Sequence, residues 1–137
     1  MTDDEFGRRL HGARGVSERM VSYTDTALSL GSGDLPVLGT PRVVAWIEAA
    51  ALSAIAGRLD DRLTTVGGQI DIRHSAPTLI GAEVRTEASV AEVDGRRIVF
   101  DVSVMSGGRE IARGRHVRAI VDRADFLARA NPPTTPR

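Results

Sequence analysis

The chain has 137 residues, the length of one ordinary domain, and its 42% hydrophobic and 26% charged content is that of a globular protein rather than a disordered one. The 18 basic residues, every one an Arg, cancel 18 acidic ones, so no net field gathers nucleic acid or an anionic membrane. Cys is absent, which excludes disulfides, thiolate metal sites and a cysteine nucleophile. No apolar run approaches the ~18 residues of a membrane span. The start, MTDDEFGRRL, carries acids where an export signal needs bases, and a cytoplasmic protein is the expectation.

In chain order, residues 1–15 mix Asp, Glu, Arg and Gly without periodicity and are expected to be a flexible segment. Ser17 to Leu30 is expected to form a first strand. Thr40-Pro41 opens a helix, with Thr at the N-cap and Pro at the first helical position, where its missing N–H costs nothing. The helix runs from Arg42 to Ala56 and stops near Gly57. It is apolar almost all round, which predicts that it is enclosed on every side. Thr65 to Ser75 alternates as a strand, with Val66, Gly68, Ile70, Ile72 and His74 on one face. Ala82 to Val90 is a second such strand. Asp94-Gly95 signals a hairpin into a third, with Ile98, Phe100, Val102 and Val104 facing inward. Gly107-Gly108 turns the chain into a last strand, Ile111 to Val121, and Asp122 caps a short helix ending near Ala130. The proline-rich residues 131–137 are expected to be a flexible tail. A folded domain over residues 16–130, with a greasy helix wrapped by an antiparallel sheet, is an α+β arrangement of hotdog type.

Two residues stand out as chemistry. Glu48 is the one charged side chain between Arg42 and Arg58, amid Val44, Ala45, Ala51 and Leu52. A carboxylate so placed either finds a partner, including an Arg of a neighbouring subunit, or has its pKa raised as a catalytic group often does. His74 closes the apolar face of its strand and points at the layer that holds Glu48. Thr40 is explained by its capping position, and Gly67-Gly68 is either a bulge or a place where backbone N–H groups approach a ligand. His116 and Arg118 share one face of the last strand, an Arg-rich edge that either meets phosphates or is a solvated face, the latter being favoured. His11, His74 and His116 share no ligand spacing, so no metal site is expected.

The ordered set Val37-Leu38-Gly39-Thr40-Pro41, Glu48, Val66-Gly67-Gly68, Ile72-Arg73-His74-Ser75-Ala76-Pro77, Val93-Asp94-Gly95-Arg96-Arg97 and Gly114-Arg115-His116-Val117-Arg118 resembles the fluoroacetyl-CoA thioesterase-like branch of the hotdog superfamily. The likeness implies hydrolysis of an acyl-CoA thioester, with CoA entering as part of the substrate and no separate cofactor. It implies a homodimer with the site at the subunit interface, pairing into a tetramer being left open. It places catalysis on Thr40, Glu48 and His74, and substrate contacts on Gly67 and Arg118; a backbone N–H at Gly67 or the adjoining Gly68 is expected to hold the oxyanion of the thioester. The Phe residues that form a lid before the helix in the fluoroacetate-specific member have no counterpart in Gly31-Ser32-Gly33-Asp34-Leu35-Pro36, which argues for general short-chain rather than fluoroacetyl chemistry. Two other readings of the same fold are a non-catalytic module that holds an acyl thioester and a hydratase. The first has no need of Glu48 and His74, and the second would carry an Asp/His helix signature that this sequence lacks.

Overall fold

The computed structural model describes residues 1–132. Four helices and five strands follow one another as α1 (Asp3–Leu10), β1 (Arg14–Met20), α2 (Ala27–Leu30), α3 (Thr40–Ile55), β2 (Leu63–His74), β3 (Glu83–Asp94), β4 (Arg97–Ser106), β5 (Arg109–Asp122) and α4 (Arg123–Ala128). The strands form one antiparallel sheet in the order β1-β3-β4-β5-β2, which leaves β1 and β2 as its edges.

Helix α3 lies against the inner face of this sheet. Its Val43, Trp46, Ile47, Ala50, Ala51 and Ala54 are buried together with Val84, Ala88, Ile98, Phe100, Val102, Val104 and Ile120 from the strands. The small side chains set the spacing. A Cβ on Gly15 of β1 would run into the Ala50 carbonyl and the Ala54 backbone, so helix and strand meet there in van der Waals contact. The opposite side of α3 is bare: Pro41, Ala45 and Leu52 are exposed, Leu52 by 44%. One chain therefore covers one side of the greasy helix, where the sequence leads one to expect enclosure all round. The uncovered side runs beside the unpaired edge β2.

Several expectations need correction. Residues 3–10 are helical because Thr2 and Glu5 form a reciprocal capping box and three acids occupy the first turn. Phe6 and Leu10 of that helix are fully buried, which ties the amino-terminal segment to the core. The first strand is Arg14–Met20 rather than 17–30; Ser22 then caps a 3-10 turn at Tyr23–Asp25, and Thr26 caps α2. Gly39, not Thr40, is the N-cap of α3, which puts Thr40 and Pro41 inside its first turn. The short last helix is capped by Asp122 as the sequence suggests. Of the expected tail, residues 133–137 lie outside the described residues. No helix among the described residues is long and apolar enough to cross a membrane.

Candidate active site

Strand β2 carries the feature that shapes the site. Its pairing with β5 shifts register between Gly67 and Gln69, so two residues face one there. The extra residue reverses the alternation. Leu63, Thr65 and Gly67 face α3 before the bulge, and Ile70, Ile72 and His74 face it afterwards. Val66 and Gly68 are thus off the inner face, contrary to the uninterrupted alternation read from sequence.

At the bulge, Glu48 of α3 reaches the sheet. A Cβ on Gly67 would lie 2.5 Å from Glu48 Oε2, 3.3 Å from His116 Cε1 and 3.4 Å from Arg118 Nη1. The absence of a side chain at Gly67 is what leaves room for the carboxylate. Arg118 donates from Nη1 to Glu48 Oε2 at 3.2 Å, and its guanidinium is held in place by Thr65: Nε donates to Oγ1 at 2.8 Å and Nη2 to the carbonyl oxygen at 3.0 Å. The remaining contact of Nη1 is His116 Nε2 at 3.0 Å. Arg118 and His116 are only 4% and 1% exposed, so they form a buried cluster rather than a solvated face. Burial pulls the Arg118 guanidinium below its ordinary pKa, against the opposing pull of the Glu48 carboxylate. Glu48 itself keeps 40% of its side chain exposed, so one carboxylate oxygen is pinned while the group stays open to the surface.

The second half of the site lies at the start of α3. The Thr40 hydroxyl is 2.8 Å from His74 Nδ1. Burial lowers the His74 pKa, and a backbone hydrogen bond with Ala76 opposes the shift. Arg42 and Asp25, paired at 2.9 Å, tie this end of the helix to the 3-10 turn. Thr40 and Glu48 are eight residues apart on a regular helix, about 12 Å along its axis. Thr40 therefore orients His74, not Glu48. Along β2, Gly67 and His74 are about 20 Å apart. One chain thus presents two separate polar clusters, Thr40–His74 and Glu48–Arg118–His116–Gly67, with Thr40 and Gly67 exposed on the bare side of α3 and His116 and Arg118 buried behind them.

Residues 21–124 match the family described as fluoroacetyl-CoA-specific thioesterase, FlK. The chain belongs to this family. A fluoroacetyl-CoA thioesterase from Streptantibioticus cattleyicolor is 33% identical over 98 residues, spanning 72% of this chain and 70% of the relative. A solved structure of a threonine-to-serine variant of FlK in complex with acetyl-CoA is 28% identical, covers 88% of this chain and 95% of its own, and superposes with a TM-score of 0.82. A hot-dog-like protein from Thermanaerovibrio acidaminovorans, 22% identical over 91% of this chain and 93% of its own, shares the fold with a TM-score of 0.83. The hotdog architecture expected from the sequence is the observed one.

Two members of the Glu48 cluster escaped the sequence reading, His116 as a functional neighbour and Thr65 altogether. The signal was there: His116 and Arg118 lie four and two residues before buried Ile120, on the same inward alternation. Their polarity disguised it.

Proposed function

We propose that this family member hydrolyses short-chain acyl-CoA thioesters at a site built between two copies of the chain, with Glu48 from one protomer and Thr40–His74 from the other. The observation that carries this reading is the pair of complete but separated half-sites on an uncovered face. An antiparallel pairing of β2 with its twin about a twofold axis near residues 70–71 sets Gly67 of one chain beside the partner's His74. The same pairing satisfies the free edge of the sheet and covers Ala45 and Leu52. Two such sites form per homodimer.

The chemistry follows from the geometry. Arg118 holds one oxygen of Glu48, and the other takes a proton from water as the water adds to the thioester carbonyl carbon. The backbone N–H groups at the Gly67–Gly68 bulge receive the developing oxyanion, a contribution of roughly 3–4 kcal/mol to the barrier in comparable sites. The tetrahedral intermediate collapses, the C–S bond breaks, and the proton that Glu48 took from water passes by way of His74 to the departing thiolate, which leaves free acid, CoA and both side chains in their starting states. The Thr40 hydroxyl both donates and accepts, so its bond to Nδ1 persists whichever tautomer His74 adopts. Side chains move the protons, the backbone of the bulge holds the oxyanion, and CoA enters as part of the substrate. The lid segment Gly31–Pro36 carries no aromatic side chain, and its Leu35 is exposed, which favours a general short-chain acyl group over fluoroacetyl. A cytoplasmic location belongs to the same reading, since its substrates are CoA esters.

Release of free thiol from acetyl-, propionyl- and butyryl-CoA tests the proposal, with Glu48→Gln and His74→Ala alongside. Turnover by the wild type and a loss of about 10²- to 10⁴-fold in each variant is the expected result. Binding of acyl-CoA without thiol release would instead identify a carrier module.

A further inference from the structure

We propose that His116 is a positioning residue for this reaction: it fixes the Arg118 guanidinium so that one N–H is aimed at Glu48. The proposal rests on the reading of Glu48 as the reacting carboxylate.

The hydrogen bonds on the two ring nitrogens fix its protonation. His116 Nδ1 is 2.8 Å from the Gln69 carbonyl oxygen, which only accepts, so Nδ1 carries the proton. His116 Nε2 is 3.0 Å from Arg118 Nη1, a guanidinium nitrogen that only donates, so Nε2 presents its lone pair. Both neighbours demand the same neutral tautomer. A second proton on Nε2 would set two cationic N–H groups against each other. The ring is 1% exposed and stacks on Phe100, with centroids 6.2 Å apart and planes 26° from parallel. Around the ring, Arg118 from β5 and Glu48 from α3 are the charged groups, β2 gives the Gln69 carbonyl and β4 gives Phe100. Burial, helped by Arg118, holds the ring neutral against the Gln69 bond and Glu48.

His116 is therefore unlike His74. The threonine beside His74 tolerates either tautomer, whereas the arginine beside His116 tolerates one. His116 cannot relay a proton. What it does is occupy one of the two Nη1 protons of Arg118, so that the other is left pointing at Glu48 Oε2. Thr65 holds Nε and Nη2, and the fork has no freedom left.

Hydrolysis of acetyl-CoA by the full chain tests this with two variants. His116→Phe keeps the ring shape and its packing on Phe100 but removes the acceptor; kcat is expected to fall about 10- to 100-fold, the worth of a hydrogen bond to a charged group, with KM nearly unchanged. His116→Gln, whose amide oxygen can accept from Nη1, is expected to recover most of the loss. Nitrogen-15 NMR of the wild type supplies a readout independent of activity. His116 is expected to show the Nδ1–H form and to titrate below the ordinary histidine value near 6.5. An Nε2–H tautomer, a His116 pKa at or above the ordinary histidine value, or wild-type kcat in His116→Phe would overturn the proposal. Glu48→Gln separates the two levels of the argument. If it turns over like the wild type, the reading of Glu48 has failed; if it is inactive while His116→Phe is unimpaired, the positioning role alone has failed.

Discussion

Substituting Gly67 by Ala adds one methyl group at the point where Glu48 meets the sheet. The added Cβ would stand 2.5 Å from Glu48 Oε2. A carbon–oxygen contact needs about 3.3 Å, so the carboxylate must retreat by about 0.8 Å, the difference between the two. Its hydrogen bond from Arg118, 3.2 Å long, then stretches beyond the range in which such a bond holds. The backbone N–H groups of the bulge are unaffected, so the substitution isolates the placement of the carboxylate. A reacting group misplaced on this scale loses about 10²-fold in rate. Stability changes little, by about 1 kcal/mol or less, because the obstacle is the tip of a part-exposed side chain that can move. Gly114→Ala is the control. A Cβ there would strike the Asp71 carbonyl and the Ile72 backbone, so it disrupts the β2–β5 pairing and destabilises the fold. Thiol release from acetyl-CoA and thermal unfolding, measured on both variants, separate the effects. Wild-type turnover by Gly67→Ala, or unfolding of Gly67→Ala as severe as that of Gly114→Ala, would refute the reasoning.

Three further outcomes follow from the same structure. Leu52→Glu places a charge on the bare side of α3 and is expected to leave the chain folded but monomeric by sedimentation, with turnover lost; a folded dimer with full activity would contradict the proposed interface. His74 and His116 both have folded-state pKa values below the ordinary value near 6.5, with burial the largest cause in each. As pH falls below about 6.5 the unfolded chain takes up protons that the folded chain refuses, so stability declines from there toward the folded values and is unaffected above it. Urea unfolding at pH 7.5 and 5.5, the latter still above the carboxylate range, should show the drop, and equal midpoints would rule it out. Phe6→Ala empties a fully buried position under α1 and is expected to cost about 3–5 kcal/mol, read from the same unfolding curves; a cost under 1 kcal/mol would mean that α1 is not part of the core.

The amino-acid order makes the architecture legible because the signals are redundant. Alternation in the strands, the turn at Asp94-Gly95 and the apolar run of α3 all agree. The amino-terminal helix was not legible, since only Phe6 and Leu10 carry its apolar face and their burial depends on strands far along the chain. The bulge at Gly67-Gly68 was visible as a glycine pair, but its consequence was not. One extra residue turns Gly67 toward Glu48 and Gly68 away, a change of phase that a period of two cannot express. His116 and Arg118 illustrate a different gap. A strand face that ends in polar side chains reads as solvent-facing unless their partners are known, and Thr65, Gln69 and Glu48 come from elements 47 to 70 residues away. Glu48 and His74 are legible as polar groups at the helix–sheet layer, whereas their partners, Arg118 and Thr40, are not. That Glu48 and His74 lie far apart within one chain is a matter of helix rise and strand length, which only coordinates combine.

Mixing two inactive variants gives the most direct test of a site shared between copies. Glu48→Ala and His74→Ala, each inert alone, are unfolded together and refolded so that mixed dimers form. In a mixed dimer one site would carry both substitutions and the other neither. Random pairing makes half of the dimers mixed, so acetyl-CoA hydrolysis should return to about a quarter of the wild-type rate. If the mixture stays as inactive as its parents although mixed dimers are present, Glu48 and His74 act within one chain and the shared site is wrong.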